Sequence, residues 1–118
     1  MMRVLLDSNI LIGVLNGLID WDSSSASDLT FVSTMSVMEV FAFSGLSEQE
    51  KKTIDLMLGN VILTPVSYSI AKRAGELART RRIGKADLLI AATALELGLP
   101  LMTRNVKDFK KIPGLKLI

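Results

Sequence analysis

The chain of 118 residues contains no cysteine and no histidine. The first absence excludes disulfides, and the two together exclude Cys/His zinc sites. Ser-His-Asp and Cys-His nucleophilic mechanisms go with them, as does any ribonuclease chemistry built on histidine. A hydrolase of this composition must work with carboxylates, metals, lysine or hydroxyls. No apolar stretch reaches the roughly 18–20 residues that span a bilayer. No basic region precedes the apolar residues at the N-terminus. Neither a membrane span nor a signal peptide is expected, and the chain reads as cytoplasmic. No Gly-rich turn follows the first apolar run, which removes a dinucleotide-binding pattern. The third candidate strand ends Leu63-Thr64-Pro65-Val66 with no acid, which argues against a phosphoacceptor signalling domain.

What is present is enough for a real core. The chain is 49% hydrophobic with a mean hydropathy of +0.41, and its length fits one domain over residues 1–118. Net charge is only +2, but it is unevenly spread. Residues 1–50 carry seven acids against one base; residues 51–118 carry five acids against thirteen bases. The bases cluster as Lys72, Arg73, Arg79, Arg81, Arg82 and Lys85, and again as Arg104, Lys107, Lys110 and Lys111. A basic half suits a polyanionic substrate; equally, such residues can simply solvate helix faces.

Three acids stand in unusual company. Asp7 closes the apolar run Met1–Leu6 and is followed by Ser8 and Asn9. Glu39 is embedded in Val37-Met38-Glu39-Val40-Phe41, and Asp87 opens Leu88-Leu89-Ile90-Ala91-Ala92. An ionised carboxylate among residues that bury themselves is costly unless it is paired, hydrogen-bonded or bound to a cation. Three of them, each at an element end or in a first turn, suggest one acidic pocket, and such a pocket commonly holds a hard divalent metal.

The pattern predicts strands over residues 3–6, 30–34, 61–66, 101–103 and 115–118. Helices are expected over 10–15, 36–43, 47–58, 67–80 and 85–97, with a short helical turn over 106–111. Ser8-Asn9 offers a cap for the first helix, and Ser47 with Glu50 forms a capping-box signature. Gly98 and Pro100 stop the helix over 85–97, which is apolar nearly all round and is expected to be buried. Residues 21–28 are Ser- and Asp-rich and read as a loop. Alternating strands and helices indicate an α/β/α three-layer sandwich with a mainly parallel sheet of about five strands. In such sheets, sites lie beyond the carboxyl ends of the strands. Asp7, the Ser36–Glu39 turn and Thr103-Arg104-Asn105 all follow predicted strands and so gather at one sheet edge.

Each acid also has a plainer reading. Asp7 can cap a helix. Ser36-Val37-Met38-Glu39 fits a capping box. Asp87 in a first turn complements the helix dipole. Asn105 with Asp108 three residues on can be one more N-terminal cap. The joint pattern favours a shared site, because like charges gathered at one edge repel unless protonated or bound to a cation.

The segments Leu5-Leu6-Asp7-Ser8-Asn9-Ile10-Leu11, Ser36-Val37-Met38-Glu39-Val40, Lys85-Ala86-Asp87-Leu88-Leu89-Ile90-Ala91-Ala92-Thr93-Ala94 and Thr103-Arg104-Asn105-Val106-Lys107-Asp108-Phe109 resemble PIN-domain nucleases, most of all the VapC-type ribonuclease toxins of toxin–antitoxin pairs. The resemblance runs along nearly the whole chain, in order. It implies that Asp7, Glu39 and Asp87 are the acidic triad around Mg²⁺ or Mn²⁺. It also implies that Asn105 occupies a fourth position where many relatives carry an acid, with Asp108 one turn later able to supply the carboxylate to the metal. Ser8, Asn9 and Thr103 match supporting polar positions. A small antitoxin and a homodimer are further implications. The brief Ser-rich stretch at residues 16–29 suggests that peripheral helices used to grip an antitoxin are reduced. The expected activity is cleavage of RNA phosphodiesters, with Arg79, Arg81, Arg82, Lys85 and Arg104 along the RNA backbone. The alternatives are an RNA-processing PIN nuclease without an antitoxin, or a PIN-like binding module that has lost catalysis.

Overall fold

The computed structural model describes residues 3–19 and 29–118; the predicted loop at 21–28 lies outside the described residues. Four strands form one parallel sheet: β1 (Val4–Leu6), β2 (Thr30–Ser33), β3 (Ile62–Thr64) and β4 (Leu101–Met102), in the spatial order β3-β2-β1-β4. Leu6 of β1 pairs with Val32 of β2 and with Met102 of β4. Phe31 of β2 pairs with Ile62 of β3. The helices are α1 (Ser8–Leu15), α2 (Thr34–Phe41), α3 (Glu48–Leu58), α4 (Tyr68–Ala78), α5 (Lys85–Leu97) and α6 (Val106–Phe109).

The three-layer arrangement follows from the period of β1. Its successive side chains point to opposite faces of the sheet. Val4 and Leu6 pack with Ile10 and Leu11 of α1, Val40 of α2 and Ile54 of α3. Leu5, between them, packs on the other face with Ile90, Ala91 and Ala94 of α5 and Phe109 of α6. All three residues of β1 are buried, as expected for a parallel strand covered on both sides. A further cluster of Ile70, Ala74, Leu88 and Ala92 fixes α4 against α5.

The fifth strand expected at residues 115–118 is reduced to a single bridge between Leu101 and Leu117. The Leu101 N–H donates to the Lys116 carbonyl at 2.8 Å and the Ile118 N–H to the Leu101 carbonyl at 3.0 Å. The reason is local: β4 has only two residues between Pro100 and the turn at Thr103, so there is little ladder to extend. Among the described residues the sheet therefore has four strands, not the five expected.

Two helix starts also differ from expectation. Asp7 itself caps α1, its Oδ1 accepting the Ser8 N–H at 2.8 Å. The helix α2 begins two residues early, with Ser33 as its cap accepting the Met35 N–H at 3.1 Å. Ser36 then lies inside the helix, so the capping box drawn through Ser36 and Glu39 does not form. The box predicted at Ser47 and Glu50 does form, with bonds of 3.1 and 2.9 Å.

Candidate active site

Strand order reverses at β1: β2 and β3 lie on one side of it and β4 on the other. The crevice beyond the carboxyl ends of β1 and β4 is the switch point where parallel sheets place their ligands. Asp7 leaves β1 into this crevice and Thr103 leaves β4 into it.

Asp7 is buried, with 2% of its surface exposed. Besides the Ser8 N–H on Oδ1, it accepts the Thr103 hydroxyl on Oδ2 at 2.8 Å. The Thr103 oxygen in turn accepts the Asn9 side-chain amide at 3.3 Å and the Asn105 backbone N–H at 3.0 Å. Asn9 Oδ1 accepts the Arg104 backbone N–H at 3.1 Å. One hydroxyl thus ties the end of β1, the start of α1 and the turn after β4 together. The supporting positions Ser8, Asn9 and Thr103 are all in the first contacts of Asp7 or one bond beyond.

Burial pushes the Asp7 carboxyl above its ordinary value, and the bonds from Thr103 and Ser8 oppose that shift. Glu39, half-buried in the middle of α2, is pushed up first by burial and then by the charge of Asp7, against a Ser8 hydrogen bond. Its Oε1 is buried with no hydrogen-bond partner among the described residues. Asp87, in the first turn of α5, is raised from 3.8 to about 6. Burial is the largest cause, followed by the charges of Asp7, Glu39 and Asp108. The three triad positions and Asp108 therefore share one electrostatic environment.

Asn105 occupies the N-cap position of α6, as the plainer reading has it, but its side chain makes no capping bond. Its side-chain nitrogen donates instead to Asp87 Oδ2 at 3.3 Å and to Asp108 Oδ2 at 3.2 Å. The amide bridges the two acids and takes the edge off their repulsion. Asp87 stands in the first turn of α5, where it also complements the helix dipole; Gly84 precedes that helix with no side-chain cap bond.

The donor set fits a hard divalent cation. Every candidate group offers oxygen, and the orphaned Glu39 Oε1 is the kind of buried acceptor that a cation or its water satisfies. Among the described residues no three acids converge tightly enough to form a ready ion cage. Mg²⁺ needs no such cage, since it commonly takes one or two carboxylates and keeps several waters.

The basic positions divide. Arg104 is exposed beside the crevice, its guanidinium near Gly13 of α1: a Cβ built there would lie 3.7 Å from Nη1. Lys85 is exposed at the start of α5, two residues before Asp87, and Arg79 is exposed at the end of α4. Arg81 and Arg82 lie in the α4–α5 turn, where a residue absent from the predicted site joins them: Lys111, whose Nζ is 4.0 Å from Asp108 Oδ1. In sequence Lys111 is one of a run of surface lysines, and only its position four residues into the segment after Val106-Lys107 could have brought it to this side.

A family model for the PIN domain matches residues 4–115. The ribonuclease VapC10 of Mycobacterium tuberculosis is 34% identical over 96% of this chain and 90% of its own length. The ribonuclease VapC of Rickettsia bellii is 30% identical over 99% of this chain and 96% of its own. Among solved structures, VapBC2 from Rickettsia felis bound to a promoter DNA fragment superposes with a TM-score of 0.83 at 26% identity, covering 99% of this chain and 98% of that one. A toxin–antitoxin complex from Klebsiella pneumoniae gives 0.76 at 31% identity, covering 96% and 95%. With the four-stranded parallel sheet and the acids at its switch point, these likenesses show that the chain belongs to the PIN-domain family, in its VapC branch.

Proposed function

We propose that this chain, acting as one domain over residues 1–118, is a divalent-metal-dependent endoribonuclease and the toxin of a toxin–antitoxin pair. The observation that carries the reading is the hydrogen-bonded arrangement at the switch point, where Thr103 bonds Asp7 and Asn105 joins Asp87 to Asp108, with burial and then the Asp7 charge pushing up both Glu39 and Asp87. The VapC relatives named above are ribonucleases by name, and the Klebsiella structure is of a toxin–antitoxin complex.

Asp7, Glu39 and Asp87, with Asp108, would hold Mg²⁺ or Mn²⁺. When bound, such an ion supplies Lewis acidity toward the phosphodiester and offsets its developing charge. The protein's part is positioning. Thr103 and Ser8 fix the two oxygens of Asp7. Asn105 fixes Asp87 and Asp108 relative to each other. Arg79, Arg81, Arg82, Lys85 and Arg104 neutralise the RNA backbone, so binding weakens with salt.

The reading carries partners with it. A small antitoxin would inhibit by filling the acidic pocket. Among the described residues, a cavity of about 260 Å³ bordered by Ile12, Leu15, Val40, Phe43, Leu46 and Ile54 opens beside the helix that carries Glu39 and offers apolar purchase to such a partner. Exposed Ile62 and Leu63 on the edge strand, with Val66 two residues beyond it, support a homodimer. No helix among the described residues is long and apolar enough to cross a membrane, in keeping with a cytoplasmic enzyme.

The test is cleavage of a mixed RNA with Mg²⁺, Mn²⁺ or EDTA, with Asp7→Asn and Asp87→Asn proteins run in parallel. The expected result is metal-dependent cutting that falls by about 100-fold or more in both variants. One observation favours a second reading, a non-catalytic module: the Asn105 amide already bridges Asp87 and Asp108. That reading gains if the wild type neither binds Mn²⁺ nor cuts RNA.

A further inference from the structure

Three cations converge on one concavity beside the acidic pocket. A cavity of about 370 Å³ is lined by Thr80, Arg81, Arg82, Ile83 and Lys111. The Thr80 hydroxyl accepts Arg81 Nη1 at 2.7 Å, which holds that guanidinium at the wall. Among the described residues neither Arg81 nor Arg82 forms an ion pair, in contrast to Arg73, which pairs with Glu96 at 3.0 Å. Among the described residues no acid lines this cleft; Asp108 lies 4.0 Å from Lys111 Nζ and is engaged by Asn105. Three like charges brought into one concavity repel, and an anion relieves that repulsion. A guanidinium presents a planar fork matched to phosphate oxygens, while an ammonium adds a compact charge.

The cleft is joined to the acidic pocket twice. Along the chain, Ile83 and Gly84 lead directly into α5 and Asp87. Through space, Lys111 meets Asp108, Asp108 accepts from Asn105, and Asn105 donates to Asp87. A strand whose reacting phosphodiester sits at Asp87 would pass a neighbouring phosphate over this cleft.

We propose that Arg81, Arg82 and Lys111 form a phosphate subsite for the single-stranded RNA substrate, seating a backbone phosphate that flanks the one to be cut. The proposal rests on the nuclease reading and adds to it a site and a residue, Lys111. Lys111 then has two contacts, the substrate phosphate and Asp108, and so links strand position to the acidic pocket.

The test uses a fluorescent single-stranded RNA of mixed sequence titrated with Asp87→Asn protein in EDTA over a series of KCl concentrations, so that no strand is cut. Arg82→Gln and Lys111→Gln are added separately to this background. Lys52→Gln, on the exposed face of α3, removes the same charge elsewhere. Each cleft variant is expected to weaken binding roughly tenfold and to make log K against log[salt] shallower by about 0.7. Lys52→Gln should leave both within twofold of the parent. Equal losses in all three variants would reduce the effect to overall charge and overturn the subsite. Unchanged affinity in both cleft variants, with wild-type protein still cutting RNA in Mn²⁺, would overturn the subsite and leave the nuclease reading standing. Absence of both RNA binding and cutting would overturn the two together.

Discussion

Thr103 shows how much one hydroxyl can hold. It donates to buried Asp7 and accepts from Asn9 and Asn105. Thr103→Val keeps the shape and removes every one of these bonds. The variant should lose about 1–3 kcal/mol of stability, the cost of stranding buried polar groups, read from urea denaturation. It should also weaken Mn²⁺ binding by about 10–100-fold in calorimetry, as loss of a ligand's supporting partner does. Unchanged Mn²⁺ affinity would mean that Asp7 needs no such support. At this scale the sequence points to much of the candidate site. Asp7, Glu39 and Asp87 announced themselves because carboxylates inside apolar segments are costly and so demand an explanation. Lys111 did not, since a lysine in a basic run carries no such contradiction, and its approach to Asp108 depends on how α6 turns.

The element scale separates two serines that look alike in sequence. Ser33 caps α2, which carries Glu39; Ser47 caps α3, which carries no site residue. Each Ser→Ala change should cost about 1 kcal/mol. Only Ser33→Ala should also weaken Mn²⁺ binding and slow RNA cleavage, because only that helix start sets the position of Glu39. Equal effects on metal affinity from both changes would count against this division. Ser36 and Glu39 have the spacing of a capping box, which puts the expected cap of α2 three residues after the Ser33 that forms it. Ser33 ends a strand and starts a helix in the same residue, and that economy of connection leaves no loop to signal the boundary. The apolar stripe of α4, the Gly98-Pro100 stop of α5 and the box at Ser47 are readable because their signals are local. The fifth strand was not, because pairing depends on how much ladder β4 can offer, and β4 has two residues.

For the whole molecule, the acidic pocket couples stability to pH and to metal. Asp87 is raised from 3.8 to about 6, and Asp7 and Glu39 are raised as well. A raised carboxyl means that the folded state binds more protons than the unfolded state between the two values. Stability of the metal-free protein therefore falls as pH rises from about 4 through 6, the reverse of an ordinary salt-bridged acid. Asp87→Asn removes the penalty and should make the metal-free protein more stable at pH 7.5, by about 1–2 kcal/mol after allowance for solvent screening. On the proposed reading Mn²⁺ would act in the opposite sense on the wild type. Bound to the ionised pocket of the folded state, it should raise the wild-type Tm at pH 7.5 in proportion to RT ln(1 + [Mn²⁺]/Kd), with EDTA reversing the gain. The same ion should do much less at pH 5, where protons compete for Asp87. Thermal melts of wild-type and Asp87→Asn protein at pH 5 and 7.5, with Mn²⁺ or EDTA, check all of this at once. A wild type that grows more stable between pH 4 and 6 in EDTA would show that the acids are held apart rather than crowded. Charge repulsion at the switch point would then no longer call for a cation there.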